Sequence, residues 1–242
     1  MYVLYGRGCG PSGRLLAQHL GVSSGRTLTG QHDTIVQWGN PSYDEYGGAR
    51  IVNTARSIRN CVDKRTTLDL ISEAGLNVPP YSTFFSELEL PILGRQFSNR
   101  SGRDIKLYMQ RADLEVLGPS DFYVQFVPKN REFRVHVVGR RAVKLSRKEF
   151  RGTDRRMRNA VAWNYRNGFR FVRRDENTPS ISHFAQIAIP AVQSLDLDFG
   201  AVDLFEGEDG LWYVTEVNSA PGLEEPSARV YARNIRRLVE GD

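Results

Sequence analysis

The stretch FGAVDLFEGEDGLWYVTEVN (199–218) decides the fold of this chain of 242 residues. Two apolar runs flank the Asp-Gly pair at 209–210, which is typical of a two-residue β-turn because a type I′ turn needs positive φ at both central positions. With that turn, Asp203 lies directly opposite Glu216, and Asn218 follows on the same face because side chains alternate along a strand. Facing carboxylates about 5 Å apart at Cβ repel each other unless a cation lies between them. We therefore predict a metal site, with Mg²⁺ or Mn²⁺ as the ion because the ligands are oxygen atoms.

A second interpretation of this hairpin remains open. Val202, Leu204 and Val217 adjoin the two acids in the sequence and are apolar, which equally fits a sheet with one solvated face. A five-residue loop at EGEDG would also shift the register and separate Asp203 from Glu216.

Outward from the hairpin, apolar runs and helical spacing alternate, which is typical of an α/β (α+β) protein. Strands are predicted at 2–5, 34–38, 81–85, 90–93, 105–109, 122–127, 132–138, 141–145, 199–205 and 211–217. Helices are predicted at 12–20, 63–74, 112–117, 180–195 and 226–239. Residues 146–178 are Arg-rich, and we expect them to be irregular.

Charge is segregated along the chain, although the formal net charge is only +5. Residues 129–174 contain 16 Lys and Arg against 3 Asp and Glu, whereas residues 175–242 contain 4 against 13. Because the basic stretch is internal and is not a solvated tail, this pattern argues against a nucleic-acid-binding arm.

The remaining composition excludes several classes of protein. At 40% hydrophobic and 25% charged residues the chain is globular, and it has no apolar run long enough for a membrane span. The N-terminus lacks the layout of a signal peptide, so we expect a cytoplasmic protein. Two cysteines and four scattered histidines predict neither a disulfide framework nor a His-based zinc site.

Two glycine-containing loops raise the question of phosphate binding. The loop 94–104 carries Ser101 and Gly102 between arginines, and small residues let backbone N–H groups approach a phosphate, although most such loops are only solvated. GRGCGPSG (6–13) has the spacing of a dinucleotide-binding loop but no acidic residue at the later position that such sites use. We therefore favour a close-packed strand–helix turn at 6–13.

A series of motifs in chain order resembles the ATP-grasp superfamily, in particular the carboxylate–amine ligases such as the glutamate ligases that modify ribosomal proteins. The motifs are Asp63-Lys64 at a helix start, Gly75 and Pro79, the loop 94–104, Gln125-Phe126-Val127, Glu132-Phe133-Arg134, Asp203, and Glu216-Val217-Asn218-Ser219-Ala220-Pro221-Gly222. The resemblance implies an ATP-grasp fold with three domains. These are a Rossmann-like pre-ATP-grasp lobe at 1–60, a small ATP-grasp lobe at 61–128, and a C-terminal ATP-grasp lobe with the metal site at 129–242.

The resemblance also implies a role for each matching residue. Asp203, Glu216 and Asn218 would hold two Mg²⁺ ions on the phosphates of ATP. The implied nucleotide-binding residues are Lys64, Arg95, Ser101, Gly102, Gln125, Phe126, Val127 and Glu132. Within this set, 125–127 is the hinge that meets adenine and Glu132 meets the ribose. Arg95 stands where the family usually has a lysine.

The implied catalytic cations are Arg134, Lys144 and Arg158, facing the phosphates or an acyl-phosphate. The implied reaction is ATP-dependent ligation. A small-molecule or peptide carboxylate attacks the γ-phosphate, and an amine then displaces phosphate to form an amide. An ATP-grasp kinase for small molecules is an alternative that uses the same site.

Two further features leave alternatives open. The Arg-rich segment 146–174 is hypothesised to face an acidic substrate, while its aromatics at 163, 165, 169 and 171 allow a basic nucleic-acid-binding module. We disfavour nucleic acid and membrane as partners. The predicted helix 226–239 carries four arginines, which suit either a subunit interface, for instance of a homodimer, or a solvated face.

Overall fold

The computed structural model describes residues 1–97, 105–154, 161–172 and 179–241. Three of the predicted site residues, Ser101, Gly102 and Arg158, lie outside these ranges. The described residues form three sheets that follow one another along the chain. Within the described ranges, no helix has both the length and the apolar character that crossing a membrane requires.

The first sheet is parallel, in the order β2-β1-β3-β4. Its strands are β1 (Tyr2–Tyr5), β2 (Ser23–Gly25), β3 (Thr34–Trp38) and β4 (Arg50–Val52), and its helices are α1 (Gly10–Leu20) and α2 (Ala55–Val62). The sequence predicted β1, α1 and β3. It missed β2 and β4, which are three residues each, and α2.

The glycine-rich turn before α1 is close-packed, as the favoured interpretation predicted. A Cβ on Gly6 would lie 2.1 Å from the carbonyl oxygen of Gly39. A Cβ on Gly13 would lie 2.7 Å from Cβ of Tyr5. Glycine is therefore needed at these positions because neighbouring chain segments pack too closely for a Cβ atom. This close packing explains the glycine motif at 6–13 without a bound nucleotide.

The second sheet is antiparallel, in the order β5-β8-β6-β7. Its strands are β5 (Tyr81–Ser82), β6 (Ile92–Arg95), β7 (Lys106–Tyr108) and β8 (Phe122–Gln125), with the helices α3 (Lys64–Glu73) and α4 (Asp113–Leu117). The helix predicted at 63–74 is confirmed as α3. The Asp63 carboxylate accepts a hydrogen bond from the Thr66 N–H at 2.8 Å and caps α3. This cap fixes Lys64 at the first position of the helix.

The third sheet is antiparallel, in the order β11-β10-β9-β12-β13. Its strands are β9 (Lys129–Val138), β10 (Arg141–Phe150), β11 (Phe169–Val172), β12 (Phe199–Gly207) and β13 (Trp212–Asn218), with the helices α5 (Ile181–Gln193) and α6 (Glu225–Glu240). One face packs against α5 through buried residues such as Phe133, Val202 and Phe184. The opposite face carries polar side chains in the alternation that strands impose.

The expectation of an irregular segment from residue 146 is wrong in part. β10 continues to Phe150, and Lys148 of β10 pairs with Phe171 of β11. The sequence hid this strand because Lys144, Ser146 and Lys148 share its polar face, so the apolar alternation that marks a strand is missing.

The hairpin of β12 and β13 does not close with the predicted two-residue turn. The Gly207 N–H donates to the Leu211 carbonyl at 2.9 Å, so the loop holds three residues, 208–210. Within this loop Gly210 has φ of 80°, a left-handed conformation that glycine adopts without steric cost. Near the loop, Phe205 consequently pairs with Tyr213, one residue away from the predicted register.

A β-bulge restores the predicted register at the functional end of the hairpin. Leu204 pairs with Val214, but Asp203 pairs with Glu216, so Thr215 is the extra residue. Asp203 therefore lies opposite Glu216 as predicted. The β-bulge at Thr215, and not the predicted two-residue turn, produces that pairing.

Asn53 joins the first sheet to the third. It is fully buried, and its backbone is left-handed with φ of 58°. Its backbone N–H donates to Asp198 Oδ2 at 2.6 Å, and its side-chain Nδ2 donates to the Phe199 carbonyl at 3.0 Å. Its Oδ1 accepts from the N–H groups of Asp198 at 2.7 Å and Phe199 at 3.1 Å. One side chain thus sets where β12 starts relative to the N-terminal lobe.

We expect Asn53→Ala to lower the free energy of unfolding by about 3 kcal/mol, because it leaves buried backbone groups without partners and puts alanine at a positive φ that asparagine tolerates better. Chemical denaturation monitored by circular dichroism measures the loss. Asp196→Ala is the matched control, since Asp196 also has φ of 58° but is exposed. An equal loss in both variants would mean that backbone strain, and not the hydrogen bonds of Asn53, is what matters.

Candidate active site

A cavity of about 670 Å³ lies between the second and third sheets. The predicted site residues in its wall are Lys64, Arg95, Gln125, Phe126, Val127, Glu132, Arg134, Asp203, Glu216 and Asn218. Residues from 64 to 218 thus converge from both sheets on one space. Of the predicted site residues that the structure describes, Lys144 is the one outside this wall.

The apolar part of the wall adjoins the predicted adenine hinge. Leu93, Val124 and Phe205 line it together with residues 125–127. The N–H of Gln125 donates to the Pro80 carbonyl at 2.7 Å, and the N–H of Phe126 donates to the Pro91 carbonyl at 2.9 Å. These bonds fix the hinge to the second sheet. Recognition of a base edge here would therefore rely on carbonyl groups and on the N–H of Val127.

Glu132 is held between two lysines. Lys129 Nζ lies 2.6 Å from Glu132 Oε2, and Lys148 Nζ contacts Glu132 Oε1. Burial lowers the pKa of Lys129, and the charge of Glu132 opposes that shift. The carboxylate predicted to meet the ribose is thus part of a buried cation–anion–cation group, and a ribose hydroxyl would have to share it with the lysines.

Arg134 and Asp203 form a two-pronged ion pair across neighbouring strands. Arg134 Nε donates to Asp203 Oδ1 at 2.5 Å, and Nη2 donates to Oδ2 at 2.6 Å. Burial raises the pKa of Asp203, but Arg134 outweighs burial, so the pKa lies below its usual value. The Arg134 guanidinium also lies 4.4 Å from the ring centroid of Phe171 on β11. In this conformation Asp203 is an ionised carboxylate bound by arginine.

Lys64, from the start of α3, reaches across the cavity to the third sheet. Its Nζ lies 3.5 Å from Glu216 Oε2. Arg95 lies at the end of β6 and is partly buried, which lowers its pKa, while the negative charge of Glu216 opposes the shift. Two cations of the small lobe therefore face the carboxylate of the third sheet.

The donor set at the end of the hairpin fits a hard divalent cation that also binds phosphate. Asp203 and Glu216 are cross-strand partners. Among the described residues the side-chain Nδ2 of Asn218 is buried and has no hydrogen-bond partner, so this nitrogen does not fix the amide in the fold. Among the described residues no group of three or more His, Cys, Asp or Glu forms a complete metal cage. Mg²⁺ suits such a site because it keeps several water or phosphate ligands.

Lys144 lies on the site face of β10 but contacts α6. Its Nζ donates to Ser227 Oγ. Burial lowers the pKa of Lys144, and the charge of Glu224 opposes this. Because Lys144 does not line the cavity, its position does not support the prediction that it faces the phosphates.

Several wall residues were not predicted as site residues from the sequence. They are Lys129, Lys148, Trp163, Phe171 and Thr215. Lys129 Nζ lies 4.7 Å from the ring centroid of Trp163, and Lys148 Nζ lies 5.0 Å from that of Phe171. Glu132 and Arg134 lie on one face of β9, and Lys148 of β10 pairs with Glu132. A predicted strand that continued from 141 to 150 would therefore have placed Lys148 beside these two residues.

Part of the Arg-rich segment lies within the described residues. Arg147 and Arg151 pair with Glu149, and the Arg170 guanidinium lies 3.4 Å from the ring centroid of Tyr165. Arg170 is therefore the arginine of this part that reaches the cavity wall. Residues 155–160 lie outside the described ranges, so the hypothesis of a substrate-facing arginine cluster at 155, 156 and 158 stays a prediction.

Comparison with known proteins agrees with this geometry. Residues 122–238 match the family model of the RimK-like ATP-grasp domain. The solved structure of the ATP-grasp ligase PsnB, complexed with a phosphomimetic variant of its minimal precursor, Mg and ADP, is 13% identical and covers 100% of this chain and 98% of that chain, with a TM-score of 0.67. A RimK-domain ATP-grasp protein from Sphaerobacter thermophilus DSM 20745 is 15% identical over 97% of this chain and 99% of that chain, with a TM-score of 0.65.

D-Alanine–D-alanine ligase from Bacillus anthracis is 15% identical over 99% of this chain and 95% of that chain, with a TM-score of 0.66. At such identities the likeness to solved structures is one of fold, and the family match covers the lobe that holds Glu132, Asp203 and Glu216. The predicted family and fold class are confirmed. The chain therefore has the ATP-grasp fold, and its residues 122–238 match the RimK-like ATP-grasp domain.

Proposed function

We propose that the chain is an ATP-dependent carboxylate–amine ligase. It joins a carboxylate to an amine through an acyl-phosphate and releases ADP and phosphate. The observation that carries the proposal is the single cavity in which an apolar hinge pocket adjoins the Asp203–Glu216 pair, with Lys64 and Arg95 beside it. The ATP-grasp ligases that share the fold support this class of reaction.

The residues that line the cavity have different roles, which depend on their position in it. The hinge at 125–127 binds the adenine base between apolar residues of β6, β8 and β12. Lys64 and Arg95 bring positive charge to the nucleotide phosphates from the small lobe. Phosphoryl transfer needs mainly positioning and charge neutralisation, so no nucleophilic side chain is required.

Asp203, Glu216 and Asn218 are the residues that would hold Mg²⁺. The bound ion supplies charge neutralisation on the phosphate oxygens. Arg134 donates one hydrogen bond to each oxygen of Asp203. Each oxygen keeps a further lone pair, with which Asp203 would hold Mg²⁺. The Arg134 guanidinium would then lie next to the phosphates, where it can stabilise the charge of the acyl-phosphate.

A screen for ADP release tests the proposed function. The protein is incubated with Mg-ATP, hydroxylamine and, one at a time, the amino acids and small peptides as carboxylates. We expect at least one carboxylate to stimulate ADP release and to yield a hydroxamate, detected by mass spectrometry, because hydroxylamine traps an acyl-phosphate. ADP release that no carboxylate stimulates would contradict the proposal. A phosphorylated product without hydroxamate would favour the small-molecule kinase.

The nucleic-acid alternative receives no support from the geometry of the described residues. Trp163 stacks on Phe169 with centroids 4.8 Å apart and an interplanar angle of 12°. Both rings belong to the cavity wall, together with Tyr165 and Phe171. Trp163 and Phe169 therefore stack on each other in the cavity wall, while Tyr165 and Phe171 line the same cavity with exposed side chains.

A further inference from the structure

Three of the four carboxylates that line the described cavity are held by cations. Glu132 is bound by two lysines, Asp203 by Arg134, and Glu216 lies near Lys64. The fourth is Glu224. Within the described ranges its side chain makes neither a hydrogen bond nor an ion pair.

Glu224 lines the cavity and comes soon after the proposed metal ligands in the chain. It follows Asn218 by six residues, in the loop that leaves β13, and it immediately precedes α6. In the proposed function, the carboxylate of Glu224 therefore belongs to the same cavity as the acyl-phosphate.

Glu224 is an exposed residue at the start of α6. Glu224 is the N-cap residue of α6, yet its side chain makes no capping bond. Ser, Thr, Asp and Asn are the residue types that stabilise this position.

The charged groups around Glu224 leave its carboxylate open to the cavity. Lys144 of β10 attracts it electrostatically but is bound to Ser227 Oγ. The adjacent Glu225 instead has an Oε1 that lies 2.9 Å from Nε2 of His19 on α1 and 3.7 Å from Nη2 of Arg229.

We infer that Glu224 binds the ammonium group of the amine substrate and accepts the proton that this group must lose before it attacks. The inference rests on the proposed ligase function. An α-amine has a pKa of about 7.7–8.0 and a lysine side chain about 10.4, so at neutral pH the amine arrives protonated. A cavity rich in Lys and Arg repels that cation unless an anion faces it.

The step balances in atoms and charge. The ammonium nitrogen gives one proton to Glu224, and its freed lone pair forms the C–N bond to the acyl carbon. The C–O bond to the phosphate then breaks, and the phosphate leaves with the electron pair. A second proton leaves the nitrogen for the phosphate, so the products are the amide, hydrogen phosphate and one proton that Glu224 returns to solvent.

Glu224→Gln separates this role from the first step of the reaction. The probes are hydroxylamine, which is uncharged near neutral pH, and methylamine, which is a cation there. With the carboxylate found in the hydroxamate screen, we expect hydroxamate formation to stay within about twofold of wild type. Formation of the N-methylamide, or competition of methylammonium against hydroxylamine, should fall by about a hundredfold, the size of a general-base effect.

The pH dependence of activity with methylamine is a second measurement, because a purely structural role of Glu224 would not make the deficit of the variant depend on pH. The deficit of Glu224→Gln with methylamine should shrink as the pH approaches the pKa of the amine, because the free amine needs neither an anion nor a base. Glu225→Gln is the matched control and should behave as wild type with both probes.

Equal use of methylamine by Glu224→Gln and wild type would overturn the inference, and so would an equal loss with both probes. Absence of methylammonium competition and of N-methylamide in wild type would overturn it as well. If wild type forms no hydroxamate with any carboxylate, the proposed function itself fails, and the inference fails with it.

Discussion

Replacing Glu216 by glutamine should lower Mg-ATP turnover by about a hundredfold or more while the protein remains folded. The change removes one negative charge from the Asp203–Glu216 pair and keeps the shape of the side chain. Loss of one preorganised charge contact in a phosphoryl-transfer site costs about 3 kcal/mol in the barrier. The fold should tolerate it because the Glu216 side chain is 40% exposed and its cation Lys64 is 3.5 Å away.

Rates of ADP release at saturating Mg²⁺, with thermal unfolding in parallel, measure this effect. Glu206→Gln is the matched control, because Glu206 lies on the same hairpin and pairs with Arg131 at 2.6 Å but does not line the cavity. Full activity in Glu216→Gln would remove the metal assignment and with it the main support for the proposed mechanism.

Replacing Arg134 by methionine should lower the free energy of unfolding by about 3–5 kcal/mol, because a buried carboxylate loses its only bidentate partner in the described site. The double variant Arg134→Met with Asp203→Asn should recover most of that loss, since neither charge is then buried alone. Neither variant should retain ligase activity. Denaturant unfolding at neutral pH measures all three proteins.

The pH dependence of the free energy of unfolding provides a second test of the ion pair between Arg134 and Asp203. In wild type Arg134 depresses the pKa of Asp203, so the pair stabilises the protein above about pH 4 and loses this effect as the pH falls further. In Arg134→Met the largest influence that lowers the pKa of Asp203 is lost, so burial raises that pKa against the weaker opposing charge of Lys148. The deficit of the variant should therefore shrink on acidification. A deficit that does not change with pH would mean that lost packing, and not the stranded charge, destabilises the variant.

Local signals in the sequence were sufficient for much of the fold. The helix at 63–74, the hairpin at 199–217 and the strand at 34–38 have strong local causes in a capping aspartate, a glycine-containing turn and apolar runs. The three-residue strands β2 and β4 have none, because they exist only through pairing with their neighbours. The polar face of β10 hid that strand for the opposite reason, since it faces the cavity instead of a core.

The predicted pairing of Asp203 with Glu216 is confirmed, the predicted two-residue turn is wrong, and the metal site itself stays a prediction. An Asp-Gly dipeptide cannot specify whether two or three residues form the loop, because both accept glycine at positive φ. The bulge at Thr215 compensates, and its hydroxyl donates to the Asp203 carbonyl at 3.1 Å. Such a bulge depends on contacts across the sheet and leaves no signature in the sequence.

The sequence by itself determined which chemical groups this protein brings to its site: two carboxylates and an amide near the end of a hairpin, a lysine at a capped helix start, and a hinge of extended residues. Only the tertiary structure decided which charges meet. It pairs Asp203 with Arg134, places Glu132 between Lys129 and Lys148, turns Lys144 to Ser227 and leaves the side chain of Glu224 open to the described cavity. The physical reason is that charge pairing depends on distances of a few ångströms between strands and helices far apart in the chain, which residue type and spacing do not encode.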